Sequence, residues 1–213
     1  MRLLSIQTGR PLRVGTPGAD DPMEREFTSA IWKHPVPAAR LTGVGLEGDA
    51  VADTRVHGGP DQALLMYDGE HYPEWRAAWG VAELGPGAFG ENLTVAGLSE
   101  ASVCVGDVLE IGAVRLQVTA TRQPCATLAR RHQRRGLVRE VYDTGWSGWY
   151  LRVLSEGTLE AGRPIRLLDR PNPDWTVRAA LLAYRDRARH PSRAEALGRC
   201  EGLSERWRAK LRS

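Results

Sequence analysis

The sequence predicts a mainly β protein with helical insertions, closed into a barrel and followed by a small helical appendage. Three observations predict it. Residues 1–171 hold most of the 23 Gly and a series of short β-type runs, and many short strands with Gly turns close most readily into a barrel, which removes exposed edges. Two segments inside that stretch change to helical spacing. After Pro171-Asn172-Pro173-Asp174 the strand signals stop, so residues 1–171 read as the barrel and 172–213 as a three-helix module.

Taken in order, the strand runs are Ala63–Tyr67, Asn92–Val95, Val103–Val105, Val108–Ile111, Val114–Thr119, Trp149–Leu154 and Pro164–Leu168. Gly112-Ala113 joins the fourth and fifth as a tight hairpin. The helical insertions run from Glu70 to Trp79 and from Ala126 to about Tyr142. In the appendage, Val177, Ala180, Leu181 and Tyr184 share one face of a helix over Thr176–Arg187. Ser192-x-x-Glu195 reads as a capping box for a second helix ending near Gly198. Gly202-Leu203-Ser204 caps a third through Leu211. Helices this short do not hold together alone, so they are expected to pack on the barrel or on a partner.

Composition narrows the function classes. With 42% hydrophobic and 26% charged residues over 213, the chain is an ordinary globular one. No apolar run reaches the ~18–20 residues of a membrane span, and the first residues lack a signal-peptide core. A cytoplasmic protein with no membrane partner is expected. Three Cys with no C-x-x-C spacing exclude a four-Cys metal centre and a disulfide scaffold within one chain. Residues from Asn172 onward carry net +5 against −2 for the rest, but they lack the interleaved aromatics of nucleic-acid modules, so no nucleic-acid partner is expected. The cations comprise 27 Arg and two Lys. Lys33 therefore stands out as a candidate for an anion site, because a compact ammonium and a planar guanidinium are not equivalent there.

Three segments concentrate chemistry. Cys125 follows Thr121-Arg122-Gln123-Pro124 at a strand-to-helix corner, where helix-start N–H groups and Arg122 favour a thiolate able to attack an electrophile or ligate a soft metal. Cys104, between two Val, reads as core packing and Cys200 as incidental. Gly43–Asp49, Asp53, Arg55 and His57-Gly58-Gly59-Pro60-Asp61 form a loop in which turn residues alternate with titratable groups. Two assemblies stay open from spacing alone: a zinc site from His57, His71 and Cys125, and a hydrolase using Cys125, His57 and Asp61. Glu91 and Asn92 stand at the mouth of a strand. Arg130, Arg131, Arg134, Arg135 and Arg139 read as a solvated face of one helix or as an anion-collecting rim around the thiol.

Together these segments resemble the MOSC domain family, in its YiiM-type branch. The matching pieces are Thr28–Val36, Gly45–Asp49, His57–Asp61, Phe89–Leu93, Val105–Asp107, Arg122–Cys125 and Gly148–Tyr150. The resemblance implies a MOSC barrel of the pyruvate-kinase-like kind with a C-terminal three-helix module. It implies the molybdenum cofactor (molybdopterin), with Cys125 as the metal ligand. Thr28, Ser29 and Lys33 would lie near the pterin and its phosphate, and Arg55, Glu91, Asn92 and Arg122 would also bind cofactor. His57 and Asp61 would serve as catalytic groups beside Cys125. The implied activity is reduction of small N-hydroxylated substrates such as 6-N-hydroxylaminopurine, a detoxification fed by an external electron-donor protein. The wider family also implies persulfide sulfur transfer and, at family level, pyridoxal phosphate binding; the non-enzymatic alternative is a cofactor carrier whose basic tail docks a client, and a homodimer is a further expected partner.

Overall fold

The computed structural model describes residues 1–55 and 57–212. Its centre is a curled eight-stranded sheet. The strands, numbered along the chain, are β1 (Arg2–Thr8), β2 (Leu12–Val14), β3 (Phe27–Ser29), β4 (His34–Val36), β5 (Ala38–Thr42), β6 (Gly45–Leu46), β7 (Leu64–Asp68), β8 (Leu93–Ala96), β9 (Val108–Ile111), β10 (Val114–Thr121), β11 (Trp149–Ser155), β12 (Gly157–Glu160) and β13 (Arg166–Asp169). The large sheet runs β13-β9-β10-β11-β7-β8-β1-β4, while β12-β5-β6 form a second sheet and β2-β3 a third. All pairings are antiparallel except β7 with β8.

The strand-rich barrel expected from sequence is what forms. The β9–β10 hairpin pairs Ile111 with Val114, and Gly112 takes a left-handed φ of 61°, which a residue with a Cβ adopts only under strain. Leu109 and Ile111 point inward while their neighbours are part-exposed, the period-2 pattern of a half-buried strand. They join Leu3, Ile6, Leu64, Leu93, Val118 and Trp149 in the main core. The six strands before residue 62, and β12, carried no separate strand signal because they are short or only partly buried.

Helix α1 (His71–Trp79) stops at Gly80 in the left-handed region. The single helix expected after Ala126 is two: α2 (Ala126–Arg131) and α3 (Leu137–Thr144), broken at Gln133 with φ 50°. These helices cover a second, aromatic cluster containing Tyr67, Tyr72, Trp75, Phe89, Leu128 and Leu137. Val103–Val105 is not a strand; Cys104 makes one isolated bridge to Thr176.

The appendage holds α4 (Val177–Arg185), α5 (Pro191–Gly198) and α6 (Glu205–Arg212). Thr176 caps α4 by accepting from the Ala179 N–H at 3.1 Å. The capping box expected at Ser192 does not form: the cap position is His190 with Pro191 opening the helix, because proline needs no N–H partner in the first turn. Ala180, Ala183, Leu197, Leu203 and Trp207 bury against Val105 and Ala120 of the barrel. A register shift between Val118 and Ala120 turns Ala120 out of the main core toward these helices. Cys200, expected to be incidental, is buried in this cluster, and burial pushes its thiol up to about 11. Cys104 is buried as expected, its thiol also pushed up. No described helix is long and apolar enough to cross a membrane.

Candidate functional site

Between the barrel mouth and α2 lies a cavity of about 340 Å³. It is lined by segments from four parts of the chain: 27–33, 49–63, 89–92 and 122–130, with Tyr150 of β11. Thr28, Ser29, Lys33, His57, Asn92, Arg122 and Cys125, all singled out in the sequence, line it.

Cys125 occupies the cap position of α2 in extended conformation (φ −130°, ψ 167°), and its carbonyl accepts from the Leu128 N–H at 3.1 Å. It is the partly accessible cysteine of the three. The preceding Arg122 leaves β10 with its N–H donated to the Gly148 carbonyl at 3.0 Å, so β11 and the Cys125 corner share one register. Gly148 sits at φ 73°, and a Cβ there would come within 2.6 Å of the Met66 carbonyl oxygen. Only glycine allows that approach.

Lys33 is buried and ion-paired with Asp49. Asp49 is the hub of this end of the cavity: Oδ1 also accepts from the Gly9 N–H at 2.8 Å and Oδ2 from the Asn92 side-chain amide at 2.8 Å. Asn92 in turn accepts from the Leu65 N–H at 3.1 Å. Burial lowers the Lys33 pKa, and the Asp49 carboxylate opposes that shift. Ser29 is buried and accepts from the Ile31 N–H at 3.2 Å. Arg130 stacks over Phe27 with its Cζ 3.7 Å from the ring centroid, and its Nε is buried without a partner.

Elsewhere on the cavity wall stand His57, Arg122 and Tyr150. Burial of the imidazole, then the positive charge of Arg122, lower the His57 pKa, so the ring is neutral at pH 7. Burial raises the Tyr150 pKa, which keeps its hydroxyl proton in place. Arg122 is 4% exposed, and its Nη1 has no hydrogen-bond partner.

Several sequence candidates stand elsewhere. Asp61 does not line the cavity; its Oδ1 accepts from Arg152 Nε at 2.9 Å and Nη2 at 2.7 Å. Arg55 is 87% exposed in its side chain and paired with Asp53. Glu91 is fully buried and used up internally, accepting from the Tyr72 hydroxyl, the Gly87 and Phe89 N–H groups and Thr94. His71 bonds Glu100 at 2.7 Å and stacks on Trp146, so the trio His57, His71 and Cys125 is not assembled. Among the described residues no group of three or more His, Cys, Asp or Glu could hold a metal ion. The arginine rim is also reduced: Arg130 lines the cavity, whereas Arg131 caps the Gly87 carbonyl at 2.6 Å, Arg135 pairs with Asp21 and Arg139 with Asp143. Asp49 and Tyr150 were missed as site residues. Asp49 and Tyr150 both close Gly-containing motifs (Gly45–Asp49, Gly148–Tyr150) already visible in the sequence.

The MOSC domain model matches residues 53–166, and the chain belongs to that family. YflK of Bacillus subtilis (strain 168) is 38% identical over 211 residues, 98% of this chain and 92% of that protein. A protein named Reductase from Gibberella moniliformis (strain M3125 / FGSC 7600) is 37% identical over 185 residues, which is 82% of this chain and 30% of that longer protein. Among solved structures, YiiM from Geobacillus stearothermophilus matches with a TM-score of 0.81 and 31% identity, covering 99% of this chain and 97% of that one.

Proposed function

We propose that this protein is a molybdenum cofactor-dependent reductase that removes oxygen from small N-hydroxylated substrates such as 6-N-hydroxylaminopurine. The observation that carries the reading is Cys125, a partly accessible thiol in the wall of a charged cavity where, among the described residues, no group of three or more His, Cys, Asp or Glu is assembled to hold a metal by itself. A thiolate suits a soft metal, and a metal held by one protein thiolate must bring its other ligands along. A pterin dithiolene does so. The residues present fit that group: the Thr28 and Ser29 hydroxyls line the cavity, and Arg130 leaves Nε buried and unpartnered there, as a phosphate-bearing ligand requires.

When bound, the cofactor supplies the two-electron redox chemistry. The N-hydroxy compound takes up two electrons and two protons, its N–O bond breaks, and an amine and water leave. His57 and the protonated Tyr150 hydroxyl stand at the cavity to hold and pass protons. Asp61, locked by Arg152, holds the His57 loop rather than reaching the cavity. Lys33 with Asp49 keeps the inner wall rigid. The electrons come from an external donor protein, because the three Cys and the absence of a dinucleotide fingerprint in the sequence offer no relay of the chain's own. The relative named Reductase supports the class of reaction.

The test is molybdenum and pterin analysis of protein from a cofactor-replete host, for wild type and Cys125→Ser. Stoichiometric molybdenum in wild type, lost in the variant, with turnover of hydroxylaminopurine, is expected. No molybdenum in either sinks the reading. A persulfide sulfur on Cys125 would turn it to sulfur transfer, and bound cofactor without turnover to a carrier.

A further inference from the structure

The two ends of the cavity treat buried positive charge differently. Lys33 has its counter-ion in Asp49. Arg122, equally buried, has no carboxylate partner among the described residues: its side chain hydrogen-bonds the Tyr150 hydroxyl, which is neutral, and its Nη1 lacks any hydrogen-bond partner. A buried guanidinium without a counter-charge is costly unless an anion joins it. The carboxylates that line the cavity are Asp49, engaged by Lys33, and Asp53, engaged by Arg55 at 2.8 Å.

Around Arg122 the appendage adds further cations. Arg206 of α6 donates to Gln62 Oε1 at 3.2 Å and to the Arg55 carbonyl at 3.4 Å, both on the loop that carries His57. Lys210 of the same helix donates to Gln123 Oε1 at 2.6 Å, between Arg122 and Cys125 in sequence. The α6 face therefore spans the two loops that flank this end of the cavity, and the charges of Arg122, Arg206 and Lys210 all act on the His57 ring. Opposing them nearby are Asp53, Asp61 and Glu205, of which Asp61 is held by Arg152 and Glu205 by Arg208.

We infer that Arg122, with His57 beside it on the cavity wall and Arg206 bound to the loop that carries His57, forms a subsite for the phosphate of the substrate, so that the preferred substrates are N-hydroxylated nucleoside monophosphates rather than free bases. This rests on the reductase reading for the N-hydroxy group and on Arg122 for the phosphate. A planar guanidinium offers paired donors to phosphate oxygens, and the aromatic walls Phe89 and Tyr150 suit a flat base between phosphate and thiol.

The test is calorimetric binding of adenosine monophosphate, adenosine and inorganic phosphate to cofactor-loaded protein, for wild type, Arg122→Gln and Arg206→Gln. A charge-assisted phosphate contact predicts that wild type binds the monophosphate about tenfold or more tightly than adenosine. Inorganic phosphate should compete with the monophosphate and not with adenosine. Arg122→Gln, compared per mole of bound pterin, should bring the ratio near one, and Arg206→Gln, half-buried on α6, should lower it by about threefold. Equal binding of nucleotide and nucleoside by wild type overturns the inference. So does an Arg122→Gln protein that loses pterin yet keeps the ratio, since the anion at Arg122 is then the cofactor's own. Should Arg122→Gln fail to fold, the Arg206→Gln ratio decides. These readouts need no turnover, so failure of reduction with both N-hydroxy compounds would count against the reductase reading alone.

Discussion

Lys33 and Arg122 line one cavity and are both withdrawn from water, yet one is neutralised by the chain and the other is not. Lys33 belongs to a closed network in which Asp49 serves a lysine, a backbone N–H and an asparagine amide at once. Arg122 donates its backbone N–H to Gly148 and, among the described residues, leaves its guanidinium without an acid. The difference separates a charge that builds the fold from a charge that awaits a ligand. A satisfied buried pair rigidifies; an unsatisfied one lowers stability until something anionic arrives.

The comparison can be broken most forcefully at Lys33. Lys33→Met leaves Asp49 buried without its cation, and loss of one partner of a buried pair costs about 3–5 kcal/mol. Urea unfolding should show it, and a change within experimental error would mean that Asp49 is satisfied by Gly9 and Asn92 alone. The opposite sign is expected at Arg122. Arg122→Met removes an uncompensated buried charge and should raise the stability of the ligand-free protein by about 1–2 kcal/mol. A destabilised Arg122→Met would show that the guanidinium already has an internal partner.

His132 sharpens the same contrast with a group that solves burial by losing its proton. Burial, reinforced by the nearby Arg131 charge, lowers its pKa from 6.5 to about 4, although its bond to the Ala88 carbonyl opposes the shift. A folded-state pKa below the unfolded one means protons bind the unfolded chain better. The stability His132 contributes is therefore present above pH 6.5 and lost as pH falls toward 4. His132→Gln should flatten that part of the stability profile relative to wild type, measured as urea midpoints across the range. Parallel slopes for the two proteins would remove His132 from the account.

How much was legible in the sequence follows from what each feature depends on. The β9–β10 hairpin was visible because alternation and Gly112 are local. The short strands before residue 62 were not, being short or partly buried, and several pair far along the chain, as β5 with β12 and β1 with β8. Cys125, Lys33, His57 and Arg122 were found because unusual residue types stood in Gly- and Pro-rich corners. Glu91 was read as a cofactor group, and only the fold shows its four donors closing around it. Pro191, a first-turn residue by preference, was the local signal that points to His190 and not Ser192 as the α5 cap, and the capping-box pattern hid it.

The sequence by itself determined the strand-rich class, the helical appendage, the cysteine at the strand-to-helix corner and the family these motifs carry. Periodicity, turn chemistry and residue type are properties of neighbours along the chain, and they survive without coordinates. Only the tertiary structure decided which charges are compensated. It set Asp49 against Lys33 across 16 positions and Asp61 against Arg152 across 91, and it left Arg122 with no acid among the described residues. Coulomb energy depends on distance through space and on exclusion of water, and neither quantity is written in the order of residues.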